Sequence, residues 1–187
     1  MKTSHYLVAL SVLAAYSLSA VAQESPETVA KKQMDAMRSG DWKTFTACMH
    51  PKALAEFKAS FLPLIEAAPK GKTWEEILNT LLGGKSAAVL KKMTPPAFFE
   101  NFMQSFSTMN PIIKQGLAGA ETEVIGHVDE GAEKTHVVFR LTVSMGEMKT
   151  TKMDVASLEK DGAEWKAVLK GDMQAMIAGL LKTAASQ

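Results

Sequence analysis

The sequence predicts an α+β fold: N-terminal helices packed on a curved four-stranded antiparallel meander, with a C-terminal helix. Three observations carry that prediction. Apolar residues recur at helical spacing from Ser25 to the glycines at 116 and 119, and from Glu121 the apolar period falls to two. Turn signals then divide the back half into four short segments, and helices followed by a run of strands is the α+β order.

The front half reads as a succession of capped helices. Ser25 offers an N-cap hydroxyl, Pro26 suits the first helical position, and Glu27 complements the first turn. Ala30, Met34 and Met37 recur at helical spacing until Gly40 ends the segment. Asp41 caps a short helix whose inward residues are Trp42, Phe45 and Met49, and Pro51 opens another, with Leu54, Phe57, Phe61, Leu62 and Ile65 as its apolar stripe. After the loop Pro69-Lys70-Gly71, Thr73 and Glu76 have capping-box spacing ahead of Ile77, Leu78, Leu81 and Leu82, and Gly83-Gly84 stops that helix. Thr94-Pro95 starts one more, with Phe98, Phe99, Phe102, Met103 and Phe106 on one face; Asn110-Pro111 and the following glycines mark its exit.

In the back half Val137, Phe139, Leu141, Val143 and Met145 alternate with His136, Val138, Arg140, Thr142 and Ser144, the pattern of a half-buried strand. Turn signals at 129–133, Gly146 and Asp161-Gly162 place strands at 121–129, 134–145, 147–159 and 164–170. Asp172 caps a last amphipathic helix through Met173, Met176, Ile177, Leu180 and Leu181.

Residues 1–22 are expected to be a cleaved signal peptide. Lys2 gives a positive start, Leu7 to Ala22 carry no charge, and Ala20-Val21-Ala22 supplies the small residues of a cleavage site. The apolar run, about 16 residues, falls short of the roughly 20 that span a bilayer. Gln23 rather than Cys follows the cleavage point, so no lipid anchor is expected. Residues 23–187 are then one exported α+β domain, periplasmic or secreted, with no transmembrane segment.

Composition excludes several classes. The chain has 21 basic and 20 acidic residues, and removal of Lys2 with the signal segment makes the balance even. A neutral chain lacks the electrostatic footprint of a nucleic-acid binder, and no basic run suits an anionic membrane surface. Cys48 is the only cysteine, so no internal disulfide forms, and a small buried thiol is its expected role. No G-x-S-x-G occurs, Cys48 and His50 are spaced to point apart on a helix, and Gly83-Gly84-Lys85-Ser86 lacks the first glycine of a phosphate loop. No cofactor or metal is expected.

Two groups of residues are candidates for a site. A hairpin with loop 130–133 would set His127 opposite His136 and Glu123 opposite Arg140, and a turn centred on Gly146 would set Arg140 near Lys152 and Val138 near Asp154. One sheet face would then hold His127, His136, Glu123, Arg140, Lys152 and Asp154, readable as a two-histidine metal site, a His–Asp proton relay, or a solvated face of charge pairs. Two histidines without a third ligand fall short of a zinc site. The opposite face would hold Val124, Val137, Phe139, Val143, Met153 and Val155. The second group, Met34, Met37, Trp42, Phe98, Phe102, Phe106 and Met153, would line an apolar cavity or fill an ordinary core, with Trp42, His50 or Gln104 as orienting groups.

The run Met37-Arg38-Ser39-Gly40-Asp41-Trp42, then Phe45, His50-Pro51 and Ala53-Leu54, resembles the first helix, Gly-Asp break and next helices of the nuclear transport factor two-like (SnoaL-like, cystatin-related) superfamily. The stretch Gly162-Ala163-Glu164-Trp165-Lys166-Ala167-Val168-Leu169 resembles its final strand. The resemblance covers Ser25–Leu54 and Glu121–Lys170, and the segment between departs from the pattern. It implies a cone of strands around a long helix with an apolar cavity, in a family of isomerases, dehydratases, small-ligand binders and oligomerisation modules. The family's steroid-isomerase chemistry needs a Tyr-based oxyanion donor, and both tyrosines, Tyr6 and Tyr16, lie in the signal segment. Asp41 falls at the family's Gly-Asp position, as a cap.

The function read from the sequence is therefore non-enzymatic: an exported protein that binds a small apolar ligand or a protein partner. The alternatives are a lyase or isomerase using His50 or Asp41 with a histidine partner, a module that forms a homodimer through its sheet, and a periplasmic lipid carrier.

Overall fold

A computed structural model describes residues 23–66, 80–109, 111–145 and 147–169, with positions 171, 173, 175, 178 and 179 of the C-terminal stretch. The expected signal peptide, the capping box at Thr73 and Glu76, and most of the expected C-terminal helix lie outside these residues; positions 171, 173, 175, 178 and 179 have helical backbone.

The helices are α1 (Pro26–Ser39), α2 (Trp42–Ala47), α3 (Pro51–Glu66), α4 (Ala87–Lys92), α5 (Pro95–Met109) and α6 (Pro111–Ala118). Their ends follow from local chemistry. Ser25 Oγ accepts from the Thr28 amide at 3.2 Å, and Asp41 Oδ1 from that of Thr44 at 3.0 Å. Gly40 closes α1 with φ 72°, a left-handed conformation that only glycine adopts without cost, and this lets the next residue, Asp41, cap α2. Helices α4 and α6 depart from the sequence expectation, which read 85–93 as unassigned and 110–119 as an exit loop. Ser86 caps α4 by accepting from Val89 N at 3.4 Å, Lys58 Nζ reaches from α3 to the carbonyls of Lys91 (2.9 Å) and Met93 (2.5 Å), and Pro111 takes the first position of α6. A short helix held at its last carbonyls by a neighbour's lysine has little signature of its own.

Phe45, Phe57, Phe61, Phe98, Phe99, Phe102 and Phe106 belong to one contact network. Phe57 on α3 is its hub, with ring centroids 4.8 Å from Phe99, 5.0 Å from Phe102, 5.1 Å from Phe61 and 6.2 Å from Phe98. Phe45 stacks on Phe99, and Phe102 on Phe106, which extends the network from α2 along α5. Gly83 (φ 67°) lies against this helix pair: a Cβ there would approach Ser105 Oγ to 2.8 Å, and Asn101 Nδ2 fixes the turn by donating to Leu82 O at 2.9 Å.

The sheet is a plain antiparallel meander, β1 (Glu121–Asp129), β2 (Lys134–Met145), β3 (Met148–Asp161) and β4 (Glu164–Ala167). A parallel bridge, Met49 to Ala167, ties its last strand to the α2–α3 junction: Ala167 N donates to Cys48 O and His50 N donates to Ala167 O, each at 2.8 Å. The fully buried Val137, Phe139 and Leu158 define the inner face against the helices.

The registers correct two expectations. The first hairpin loop is one residue shorter than expected, with Glu130 N donating to Lys134 O, so His127 pairs with Val137 and Val128 with His136. A β-bulge between Val124 and Gly126 absorbs the offset, and Glu123 pairs with Arg140 as expected. In the second hairpin Met145 pairs with Met148 across a two-residue turn, so Arg140 opposes Met153 and Phe139 opposes Asp154. A one-residue slip turns every β3 side chain over. Met153 and Val155, expected inside, are 53% and 42% exposed on the outer face, and Asp154 and Ala156 point inward.

Phe57→Ala removes the ring that joins α3 to α5. It is expected to lower stability by about 3–5 kcal/mol, read from the midpoint of a urea unfolding curve at unchanged slope.

Candidate functional site

Between α1, α5 and the inner face of the sheet lies a cavity of about 350 Å³. Its existence follows from side-chain size. At the paired positions where β2 presents Val137 and Phe139, β3 presents Ala156 and Asp154, and β4 contributes Ala167. Two alanines on an inner face cannot reach the helices, so space remains beneath them. Helix α1 closes one side with Met34 and Met37, and α5 another with Phe99, Phe102, Met103 and Phe106. Flexible thioethers and ring faces give the wall an adaptable apolar surface.

Of the residues expected to line a cavity, Met34, Met37, Phe102 and Phe106 do so. Phe98 does not: its ring packs on the Phe57 and Phe61 side of α5, fully buried. Trp42 is buried edge-on against Phe45 outside the cavity, and Met153 is on the far face of the sheet. The proposed orienting groups are elsewhere too. His50 caps α3, its Nδ1 accepting from Lys52 N at 3.1 Å, and Gln104 borders none of the cavities described. Sequence reasoning missed Gln33, Met49 and Phe139 as lining residues and placed Asp154 on the wrong face. Gln33 is the least expected, an amide 5% exposed on the cavity side of α1. Its position one residue before Met34 was the available signal.

The polar constellation divides between the two faces. His127 turns toward the helices, where Nδ1 hydrogen-bonds Glu27 in the first turn of α1 and Nε2 lies 3.7 Å from Asp129. His136 points outward, with Nδ1 2.9 Å from Ser157 Oγ and Nε2 2.7 Å from Glu130 Oε2. The shorter hairpin loop therefore ends the two-histidine metal reading. Among the described residues no cluster of three His, Cys, Asp or Glu could hold a metal. Arg140 pairs with Glu123 across the outer face, and Asp154 pairs with Lys152 at 3.5 Å on the inner one, so no relay runs from His136 to Asp154. Ser157, His136 and Glu130 do form a hydroxyl–imidazole–carboxylate chain. It lies on an open strand surface, and the Ser157 carbonyl is already taken by Val168 N at 3.0 Å. Its carboxylate, Glu130, is 61% exposed and His136 pairs with Ser157 across β2 and β3, so the chain is a cross-strand bridge.

Asp41 and Cys48 have structural roles. The Asp41 carboxyl is held below its ordinary range by the Thr44 amide it caps. Burial pushes the Cys48 thiol up, which disfavours the reactive thiolate.

Glu27 and His127 join α1 to β1. Hydrogen bonding from its own backbone amide and then from His127 lowers the Glu27 carboxyl below 4.5, and the bond to Glu27 raises the His127 imidazole above 6.5. A raised histidine stabilises fully below its unfolded value, and the contribution fades as pH climbs through the folded value. A lowered glutamate stabilises above its unfolded value and loses this as pH falls through the folded one. The contact is therefore strongest between pH 4.5 and 6.5. The His127 ring resonances are expected to titrate above 6.5 and to shift downward in Glu27→Gln; the thermal midpoints of the two proteins should differ most inside this window.

No protein-family model matches the chain, and no curated protein matches it. Among solved structures, an NTF-2 like protein of unknown function from Shewanella oneidensis MR-1, at 1.70 Å resolution, aligns over 75% of this chain and 88% of that one, at 13% identity and a TM-score of 0.39. The α+β class, the strand order and the cavity are read from this chain's own coordinates.

Proposed function

We propose that this protein binds a small apolar molecule in the cavity between α1, α5 and the sheet, and does no chemistry on it. The observation that carries the reading is the composition of the wall. Methionine, phenylalanine and alanine dominate, and the described lining residues include no His, Lys or Arg. General acid–base catalysis needs a titratable side chain positioned to exchange a proton with the substrate. The one carboxylate, Asp154, accepts from its neighbour's amide, Val155 N, at 2.8 Å and pairs with Lys152. The lyase or isomerase reading loses support for the same reason, because His50 and Asp41 are spent on helix ends.

Size narrows the ligand. An apolar cavity of about 150 Å³ admits benzene, so 350 Å³ suits a molecule on the order of fifteen non-hydrogen atoms. A single short chain or a pair of fused rings meets that limit; a two-chain phospholipid is several times larger. The expected export signal supports binding outside the cytoplasm, in the periplasm or beyond. Among the described residues no helix is long and apolar enough to cross a membrane.

A homodimer through the sheet is the second reading, favoured by one observation. Ile125, Val128, Met153 and Val155 are exposed together on the outer face, ringed by the pairs Glu123–Arg140 and Glu130–His136. Sizing chromatography of wild type and Met153→Lys separates the two. A monomer in both leaves ligand binding alone, and a dimer lost on substitution establishes the interface.

Direct binding is tested with N-phenyl-1-naphthylamine, whose fluorescence rises in apolar surroundings. The wild type is expected to bind it. Ala156→Leu, which fills the space under β3, should weaken binding by about tenfold or more, a loss of at least about 1.4 kcal/mol, with the thermal midpoint kept. Equal binding by both proteins would contradict the assignment.

A further inference from the structure

We infer that the cavity selects an uncharged amphiphile, an alcohol whose hydroxyl bonds the Gln33 side-chain amide, over fatty acids and alkylamines of the same length. The inference rests on the proposed binding role and names its ligand class. Gln33 is the carrying observation. It is 5% exposed, lies on the cavity wall, and sits among Met34, Met37, Met49 and Phe99. An amide can donate two hydrogen bonds and accept two. Among the described residues Gln33 makes one, from Nε2 to the Met49 sulfur at 3.0 Å, and a thioether is a weak acceptor. Its second N–H and its carbonyl oxygen have no described partner, and leaving such groups unpaired in an apolar wall is costly.

A hydroxyl is the simplest group that meets both needs, because it donates to Oε1 and accepts from the free N–H of the same amide. Charged head groups fit poorly. A carboxylate would enter a site with no Lys, Arg or His among the described lining residues and with Asp154 as its one ionisable neighbour. An ammonium would have to compete with Lys152 for Asp154. Burying an ion without a counter-charge costs far more than burying a hydroxyl that is hydrogen-bonded.

The test displaces N-phenyl-1-naphthylamine with 1-decanol, decanoate or decylamine at pH 8, using wild type, Gln33→Leu and Gln33→Met. Decanol is expected to displace the probe at the lowest concentration. Both substitutions should weaken decanol by up to about tenfold, the scale of one hydrogen bond, once each competition is corrected for the probe's affinity measured on the same variant. Decanoate or decylamine competing as well as decanol, or decanol binding equally to wild type and the folded variants, overturns the inference and leaves the cavity as a general apolar binder. If the probe does not bind the wild type at all, the binding role fails, and the selectivity with it. The three-ligand comparison on wild type alone decides the matter should either variant not fold.

Discussion

The register between β2 and β3 is the constraint on which the rest of the molecule depends. Phe139 opposite Asp154, and Val137 opposite Ala156, put a large residue beside a small one at successive levels of the inner face. The two-residue turn between Met145 and Met148 sets that register for the whole hairpin. Moved by one position, β3 would send Met153 and Val155 inward, fill the space with aliphatic side chains, and leave Ala156 on the surface. The same backbone would then hold a conventional core. The cavity is a consequence of pairing, because the pairing leaves Ala156 and Asp154 beneath the helices.

The helical layer gives this space a rigid roof. Ring contacts of Phe57 and Phe61 with Phe98 lock α3 against α5, and Phe99 and Phe102 both touch Phe57 and line the cavity with Met103 and Phe106. Helix α1 is anchored at its start by Glu27 on His127 and at its end by the Gly40–Asp41 break. These two fixed points hold Gln33 and Met34 over the sheet. A buried amide on so apolar a wall weakens the core by its desolvation, a cost that the proposed ligand would offset by completing its hydrogen bonds.

Much of the fold was legible in the sequence because it is written in local chemistry. Ser25, Gly40, Asp41, Pro51 and Pro95 mark helix ends by rules that operate within four residues, and the alternation of β2 makes its inner face plain. The four strands fall within two residues of expectation at each end, except at the end of β4, which stops at Ala167. Turn length was not legible to the residue, and faces depend on it. An error of one in each hairpin placed Met153 inside and Asp154 outside, and joined His127 to His136, which the shorter first loop holds on opposite sides. Met34, Met37, Phe102 and Phe106 were legible as cavity candidates from helical spacing. Phe98 and Trp42 share that spacing and yet face the other way, since a period gives one apolar stripe and not which neighbour each residue meets. Gln33 carried no sequence signal beyond adjacency to Met34.

The β3 register is open to direct measurement by thiol labelling. In a Cys48→Ala background, single cysteines at Met153 and at Ala156 would be treated with a maleimide attached to a bulky polymer, in the folded protein and in urea. The register described here predicts rapid modification of Met153→Cys in the folded state and protection of Ala156→Cys until unfolding. Protection of Met153→Cys with rapid labelling of Ala156→Cys would place β3 the other way over, and the cavity would have no floor.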